Sequence, residues 1–357
     1  MLIYWLMFGF PAVMTLVEQA DHRKRQRFGF TWGAALLGLV VLIGFRWETG
    51  GDWANYVRMV EHAFWDPAKL QPLGDPAFAV LTVIAARSDL GMLLITAVSG
   101  TVMALALTHF CLAQPRPWLC MAVAIPYLVV VMGMGYIRQG MAISFLMMGL
   151  TSLRDGHVLR YSAWVLVGSL FHTTALILLP LGALVTNRNI VLRVALALTM
   201  LAALSYAIIA ARAETFLTNY VEAGMESSGA AIRLFMTALP GVLLLAFRDR
   251  FALEGAERSV WSALSGAAIA SFALLFVSQS STVVDRLGLY LLPLQCFVYA
   301  RAPAAFASDQ RGERLITVAI VALYAAAFFV WLNYSVNIEY WLPYRSYFFE
   351  DAICLQC

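Results

Sequence analysis

Charged residues are scarce in this chain, filling 13% of its 357 positions against 62% for hydrophobic ones. A soluble fold of this length cannot hide that much apolar surface in one core. No ten-residue stretches of alternating hydrophobicity occur, which argues against a transmembrane β-barrel. No Walker loop, no GxGxxG fingerprint and no HExxH sequence is present, so neither a nucleotide site nor a zincin-type metal site is expected. The five cysteines are scattered without metal-ligand spacing. Cys354 and Cys357 form a C-x-x-C, and the last four residues look superficially like a lipidation box. Gln356 is not aliphatic, however, and the tail is expected outside the cytoplasm, so both features are read as incidental. There is no fixed-period repeat and no low-complexity tract. No basic residues precede the first apolar segment, Leu2–Val17, so it reads as a retained helix with an outer N-terminus and not as a cleaved signal. The net charge of +3 carries little information, because the placement of basic residues in loops matters more. No nucleic-acid partner is expected.

Apolar runs of spanning or near-spanning length are abundant. The clearest are Phe30–Phe45, Leu90–Ala113, Trp118–Tyr136, Val191–Ala211, Trp261–Val277 and Leu315–Trp331; a bilayer takes roughly 20 residues of helix. Lipid leaves free backbone groups unsatisfied, so these runs are expected to be helices. The fold expected is an all-α, polytopic transmembrane bundle of about twelve segments, forming one integral membrane domain over 1–357. The basic cluster His22-Arg23-Lys24-Arg25-Gln26-Arg27 marks the cytoplasmic side. Residues 46–88 then form an outer loop, and the apolar run in it at 76–86 is too short to cross, so it reads as interfacial or re-entrant. Basic residues flank both ends of 158–185, which places both ends inside. Two half-helices turning near Phe171-His172-Thr173 satisfy this, and a single long tilted helix is the alternative. The crossings continue outward at 190–211, inward at 233–247, outward at 259–278 and inward at 287–300. The last, 315–336, leaves 337–357 as an outer tail.

The polar residues that stand out gather at outer ends. In Arg46-Trp47-Glu48-Thr49-Gly50-Gly51-Asp52-Trp53-Ala54-Asn55-Tyr56, two glycines allow a tight turn between an arginine and an acid–aromatic group. Such a loop suits a phosphate at Arg46 and a sugar at Asp52, Trp53 and Tyr56, or else it is an interfacial aromatic belt. Arg138, followed by Gln139, lies between two strongly apolar runs. A charge costs about 2.5–3.5 kcal/mol at a bilayer centre and less at its edge, and the guanidinium fork suits phosphate oxygens. His172 is the one histidine inside a long apolar stretch, fit for proton transfer or for a structural hydrogen bond. Asp285-Arg286 precedes Tyr290 at another outer edge, either as a mutual salt bridge or with the arginine facing the same outer space. The tail interleaves Tyr334, Tyr340, Trp341, Tyr344 and Tyr347 with polar residues, as a belt or a glycan platform.

In combination these motifs resemble the EpsG-like branch of Wzy-type polysaccharide polymerases. The likeness runs through Arg46, Gly50, Asp52, Trp53 and Tyr56, then Asp75-Pro76-Ala77-Phe78, then Arg138-Gln139-Gly140-Met141-Ala142. It continues through His172-Thr173-Thr174-Ala175-Leu176, Arg286 ahead of Tyr290, and Trp341-Leu342-Pro343-Tyr344. Position 75 departs from such proteins, which often carry glutamate there. The resemblance implies a glycosyltransferase without a cofactor or metal, acting at the periplasmic face of a bacterial inner membrane. Its substrate would be an undecaprenyl-diphosphate-linked oligosaccharide, with membrane lipid around it and a chain-length regulator as a possible partner. It places Arg46, Arg138 and Arg286 at diphosphates, with Trp53, Tyr56, Gln139, Tyr290, Trp341 and Tyr344 at substrate. His172 or Asp52 accepts the acceptor's proton. The alternatives are a flippase of lipid-linked sugars, another polyprenyl-phosphate-sugar glycosyltransferase, and an export scaffold.

Overall fold

The computed structural model describes residues 1–18, 28–66, 75–186, 229–278 and 280–348, with 198, 200 and 202 besides. The basic cluster at 22–27, nearly all of the expected crossing at 190–211, and Cys354 and Cys357 lie outside these residues. What is described is almost wholly helical; the only sheet among the described residues is one two-residue antiparallel pair. The chain forms two compact units. One holds Met1–Met148, Val167–Thr173 and Val321–Cys357, the other Gly149–Leu166 and Thr174–Ile320.

In the first unit the apolar runs become α1 (Leu2–Val17), α2 (Phe30–Gly44) and α5 (Met92–Leu112). Next comes α6 (Pro117–Ala124), which runs on as π-helix over Ile125–Gly133. After a short break, α7 starts at Ile137 and ends at Arg154, with its residues from Gly149 onward counted in the second unit. Two shorter helices lie between α2 and α5. In α3 (Trp53–Trp65), Tyr56 and Ala63 are buried seven residues apart while Asn55, Arg58 and Glu61 are exposed, the pattern of a one-sided helix. In α4 (Pro76–Arg87), Phe78, Thr82 and Ala85 make the same kind of stripe. Proline occupies the first turn of α4, where a missing N–H costs nothing. Tyr56, Phe78, Ala85, Met92, Ile95, Ile137 and Met141 share one apolar cluster, so α3, α4, α5 and the start of α7 are packed on a common core.

Of the expected crossings, only Met92–Leu112 and Gln310–Tyr334 are, among the described residues, both long and apolar enough to span by length and composition. Leu2–Val17, Phe30–Gly44, Pro117–Gly133 and Ala230–Ala246 are apolar but shorter. The described residues therefore do not confirm the expected count of about twelve segments. The surroundings these helices need are nonetheless clear from their outer faces. Leu2, Leu6, Val13, Leu16, Val17, Phe30, Leu37, Leu315 and Val318 are all exposed, and only 28% of the most apolar window of Gln310–Tyr334 is buried. Water would penalise each such side chain by about 1.5–3 kcal/mol relative to burial, whereas lipid does not.

The run at 158–185 is not one helix. After α8 (Val158–Ser169) the chain breaks, and it resumes at Thr173 as a 3-10 helix to Gly182. The break falls on Leu170-Phe171-His172, with the N–H groups of Phe171 and His172 both bonded to the Gly168 carbonyl.

The second unit is held by polar pairs between its helices. Arg233 grips Asp285 with two hydrogen bonds, one of them 3.0 Å from Nε. Thr174 and Tyr290 share a hydroxyl hydrogen bond of 2.9 Å. The Arg301 guanidinium lies 3.6 Å from the centre of the Phe297 ring and bonds Glu257 at 3.0 Å; Phe297 in turn stacks on Trp261. The expected crossing at 287–300 is divided, with helix to Gly288, a 3-10 turn over Leu289–Leu291 and helix again over Leu292–Tyr299.

Candidate functional site

Two helix starts in the first unit cap each other. The carbonyl of Leu170, at the break before the 3-10 helix, accepts the N–H groups of Ala77 and Phe78 at the head of α4. In return the Asp75 side chain, placed just ahead of α4, accepts the N–H and the hydroxyl of Thr173, each at 2.9 Å. Helix starts carry N–H groups with no partner inside the helix, and here each start supplies the acceptor for the other. His172 sits between them as part of that frame.

Asp75 has no exposed side-chain surface, and its second oxygen is shared by two more groups. Arg138, on the first turn of α7, donates from one terminal nitrogen at 2.9 Å. His172 Nδ1 lies 3.6 Å from the same oxygen. Burial alone would raise the Asp75 carboxyl, but His172, Arg138 and the Thr173 N–H together outweigh it and hold the group down at about 2. Asp75 is therefore a carboxylate at neutral pH. The Arg138 side chain keeps 27% of its surface exposed and His172 14%. Arg138 is braced further by the Tyr56 hydroxyl, which accepts its backbone N–H at 3.4 Å, and by the Phe78 ring at 5.9 Å. Phe171 stacks on Phe145 and fixes the residue beside the histidine. A guanidinium and an imidazole thus lean on one buried carboxylate, and each keeps part of its surface exposed.

Arg138, His172 and Tyr56 are accordingly brought together, with Gln139 buried next to Arg138. Trp53 packs against the same apolar cluster. Asp52 stands ahead of α3, where its carboxylate accepts from Asn55 at 3.4 Å. Other expected substrate residues are placed differently. Arg46 is completely buried and donates to the carbonyls of Ile43, Thr49 and Met134. Trp341 is buried and donates to the Val130 carbonyl, and Tyr344 donates to that of Leu42. Their polar atoms face protein, not solvent. Arg286 and Tyr290 belong to the second unit, where Asp285 has Arg233 as a partner. Sequence reasoning passed over Asp75 and Thr173 as site residues. The signal available was the acid ahead of a proline at the start of a short helix, a place where a carboxylate is usually only a cap.

A profile of the EpsG family matches residues 30–346, a range that takes in all of these side chains. The chain belongs to the EpsG family. It is thus a membrane protein of the EpsG-like polysaccharide-polymerase kind, and Asp75, Arg138 and His172 form a charged cluster within the family's own span. No curated protein and no solved structure matches the chain.

Proposed function

We propose that this EpsG-family protein is a glycosyltransferase that polymerises undecaprenyl-diphosphate-linked oligosaccharide repeat units into a surface polysaccharide. The reaction takes place on the periplasmic side of the inner membrane, with about twelve segments in the membrane and both termini outside. The observation that carries this reading is the Arg138–Asp75–His172 cluster, which joins a diphosphate-binding cation to a proton acceptor through a buried carboxylate.

In the reaction, a hydroxyl oxygen of the acceptor repeat attacks the anomeric carbon of the growing chain. The bond from that carbon to the diphosphate oxygen breaks, and the electron pair leaves with the lipid diphosphate. The hydroxyl proton passes to His172 Nε2. Asp75 holds the imidazole by its Nδ1 side and stabilises the imidazolium that forms. With Asp75 ionised and His172 neutral, the cluster carries no net charge. Proton transfer makes it positive as negative charge builds on the leaving group, so stabilisation is concentrated in the transition state. Arg138 has more donors than Asp75 takes up and offers them to the diphosphate. Asp52 and Trp53 bind the sugar, and Arg138 stabilises the leaving group without a metal.

The test is polymerisation by purified protein in detergent, given lipid-diphosphate-linked repeats from its own organism with EDTA present. A ladder of longer lipid-linked glycans that vanishes in Arg138→Ala is the expected result. Folded protein that makes no ladder but moves the same lipid across liposomes would instead be a transporter.

A further inference from the structure

The C-terminal segment folds back onto the loop after α2. Arg46–Trp47 (β1) pairs antiparallel with Arg345–Ser346 (β2), with Arg46 opposite Ser346 and Trp47 opposite Arg345. Around this short ladder the Tyr347 N–H bonds the Phe45 carbonyl at 2.9 Å, the Gly50 N–H bonds the Tyr340 carbonyl at 2.7 Å, and Arg345 pairs with Glu48. Tyr4 of α1 reaches the Trp341 carbonyl at 2.7 Å.

Two side chains in this clasp reach past it to the segment that leads into α7. Arg46 Nη2 bonds the Met134 carbonyl at 3.0 Å, and Trp341 Nε1 bonds the Val130 carbonyl at 3.0 Å. Both carbonyls lie where the π-helical stretch ends, and the last carbonyls of a helix lack intrahelical donors. The fit there is tight. Gly50 has φ +118°, and a Cβ on it would stand 2.2 Å from the Met134 oxygen; a Cβ on Gly135 would stand 2.8 Å from the Trp341 ring. Arg138, on the first turn of α7, follows Met134 by only four residues.

We infer that Arg46 and Trp341 are positioning residues for Arg138. They hold the end of the π-helical stretch so that α7 starts where its arginine meets Asp75. This deepens the proposed function and rests on its assignment of Arg138. The Arg46 side chain is fully buried, which leaves it no surface for a diphosphate. Burial lowers the Arg46 guanidinium only to about 10, so it stays charged at neutral pH and donates in three directions. A lysine keeps the charge but not the planar fork.

The experiment compares Arg46→Lys and Trp341→Phe with wild type by hydrogen–deuterium exchange in detergent and by polymerisation kinetics. Exchange of the 135–140 amides is expected to speed up in both variants by tenfold or more. Unchanged exchange there in both folded variants overturns the inference, whatever the protein's activity. In the kinetics, kcat is expected to fall about 10- to 100-fold, the scale of an ångström-level misplacement, with KM for the lipid-linked repeat within twofold of wild type. A KM that rises while exchange is unchanged would make Arg46 a substrate ligand instead. An unchanged kcat in variants with lowered thermal midpoints would reduce the clasp to a structural role. If wild type makes no polymer, the function fails, and the exchange result still decides whether the clasp holds α7.

Discussion

Replacing Asp75 by asparagine changes little in volume and much in charge. The side chain has no exposure, accepts the Thr173 N–H and hydroxyl on one oxygen, and faces Arg138 and His172 with the other. An amide supplies one acceptor where two are used, so its NH2 must point at donors on one side or the other. A carboxyl held at about 2 instead of 3.8 corresponds to roughly 2 kcal/mol of favourable interaction with the ionised form. Breaking a buried pair by removing one partner costs about 3–5 kcal/mol. The partial exposure of Arg138 puts this case toward the lower figure. A stability loss of about 2–3 kcal/mol is therefore expected, read as a lower thermal midpoint in detergent. Turnover should fall further than stability, because His172 loses its anchor and Arg138 its counter-charge. A decrease of roughly 10²–10⁴ is expected for a lost proton-transfer arrangement. Asp75→Glu restores the charge and is expected to recover most of the activity. Folded Asp75→Asn protein that polymerises at the wild-type rate would refute the reasoning.

The Asp75 folded-state value is depressed, so the stability from its own ionisation is present above about pH 4 and is lost as pH falls through about 2. The difference in thermal midpoint between wild type and Asp75→Asn should shrink as pH falls from about 4 to about 2. Arg138→Lys keeps a charge but loses the planar fork, and is expected to reduce kcat/KM for the lipid-linked repeat at least tenfold. Trp341→Ala empties a buried indole site and should cost about 3–5 kcal/mol, seen as faster thermal inactivation. In the second unit, Arg233→Ala leaves buried Asp285 without its bidentate partner and is expected to cost about 3–5 kcal/mol by the same assay.

Much of the local architecture is legible in the sequence. Apolar runs gave helices at 2–17, 30–44, 92–112 and 310–334, and the short run at 76–87 stayed short because its composition ends it. The break at Phe171-His172 follows from basic residues at both ends of a run too long for one simple crossing. The divisions within apolar runs were less visible. Nothing in the composition of 125–133 separates π-helix from α-helix, and the 3-10 stretch at 173–182 reads as ordinary apolar helix. The site was half legible. Arg138 and His172 stand out because charge and imidazole are costly in apolar surroundings. Asp75 did not, because its partners Arg138 and Thr173 are 63 and 98 residues away in the chain, and only folding joins them. The surroundings of Arg46 were hidden for the same reason: a sequence shows that an arginine follows a helix, not that three carbonyls surround it.

The central claim is that the reaction centre lies on the Arg138–Asp75–His172 cluster. The most direct test is polymerisation of lipid-diphosphate-linked repeats by purified, folded His172→Ala and Asp52→Ala variants beside wild type. The account predicts that His172→Ala loses the glycan ladder by a factor of roughly 10² or more, while Asp52→Ala still extends chains with a weakened KM. A full ladder from His172→Ala, with none from Asp52→Ala, would contradict it and move the proton acceptor to the loop ahead of α3.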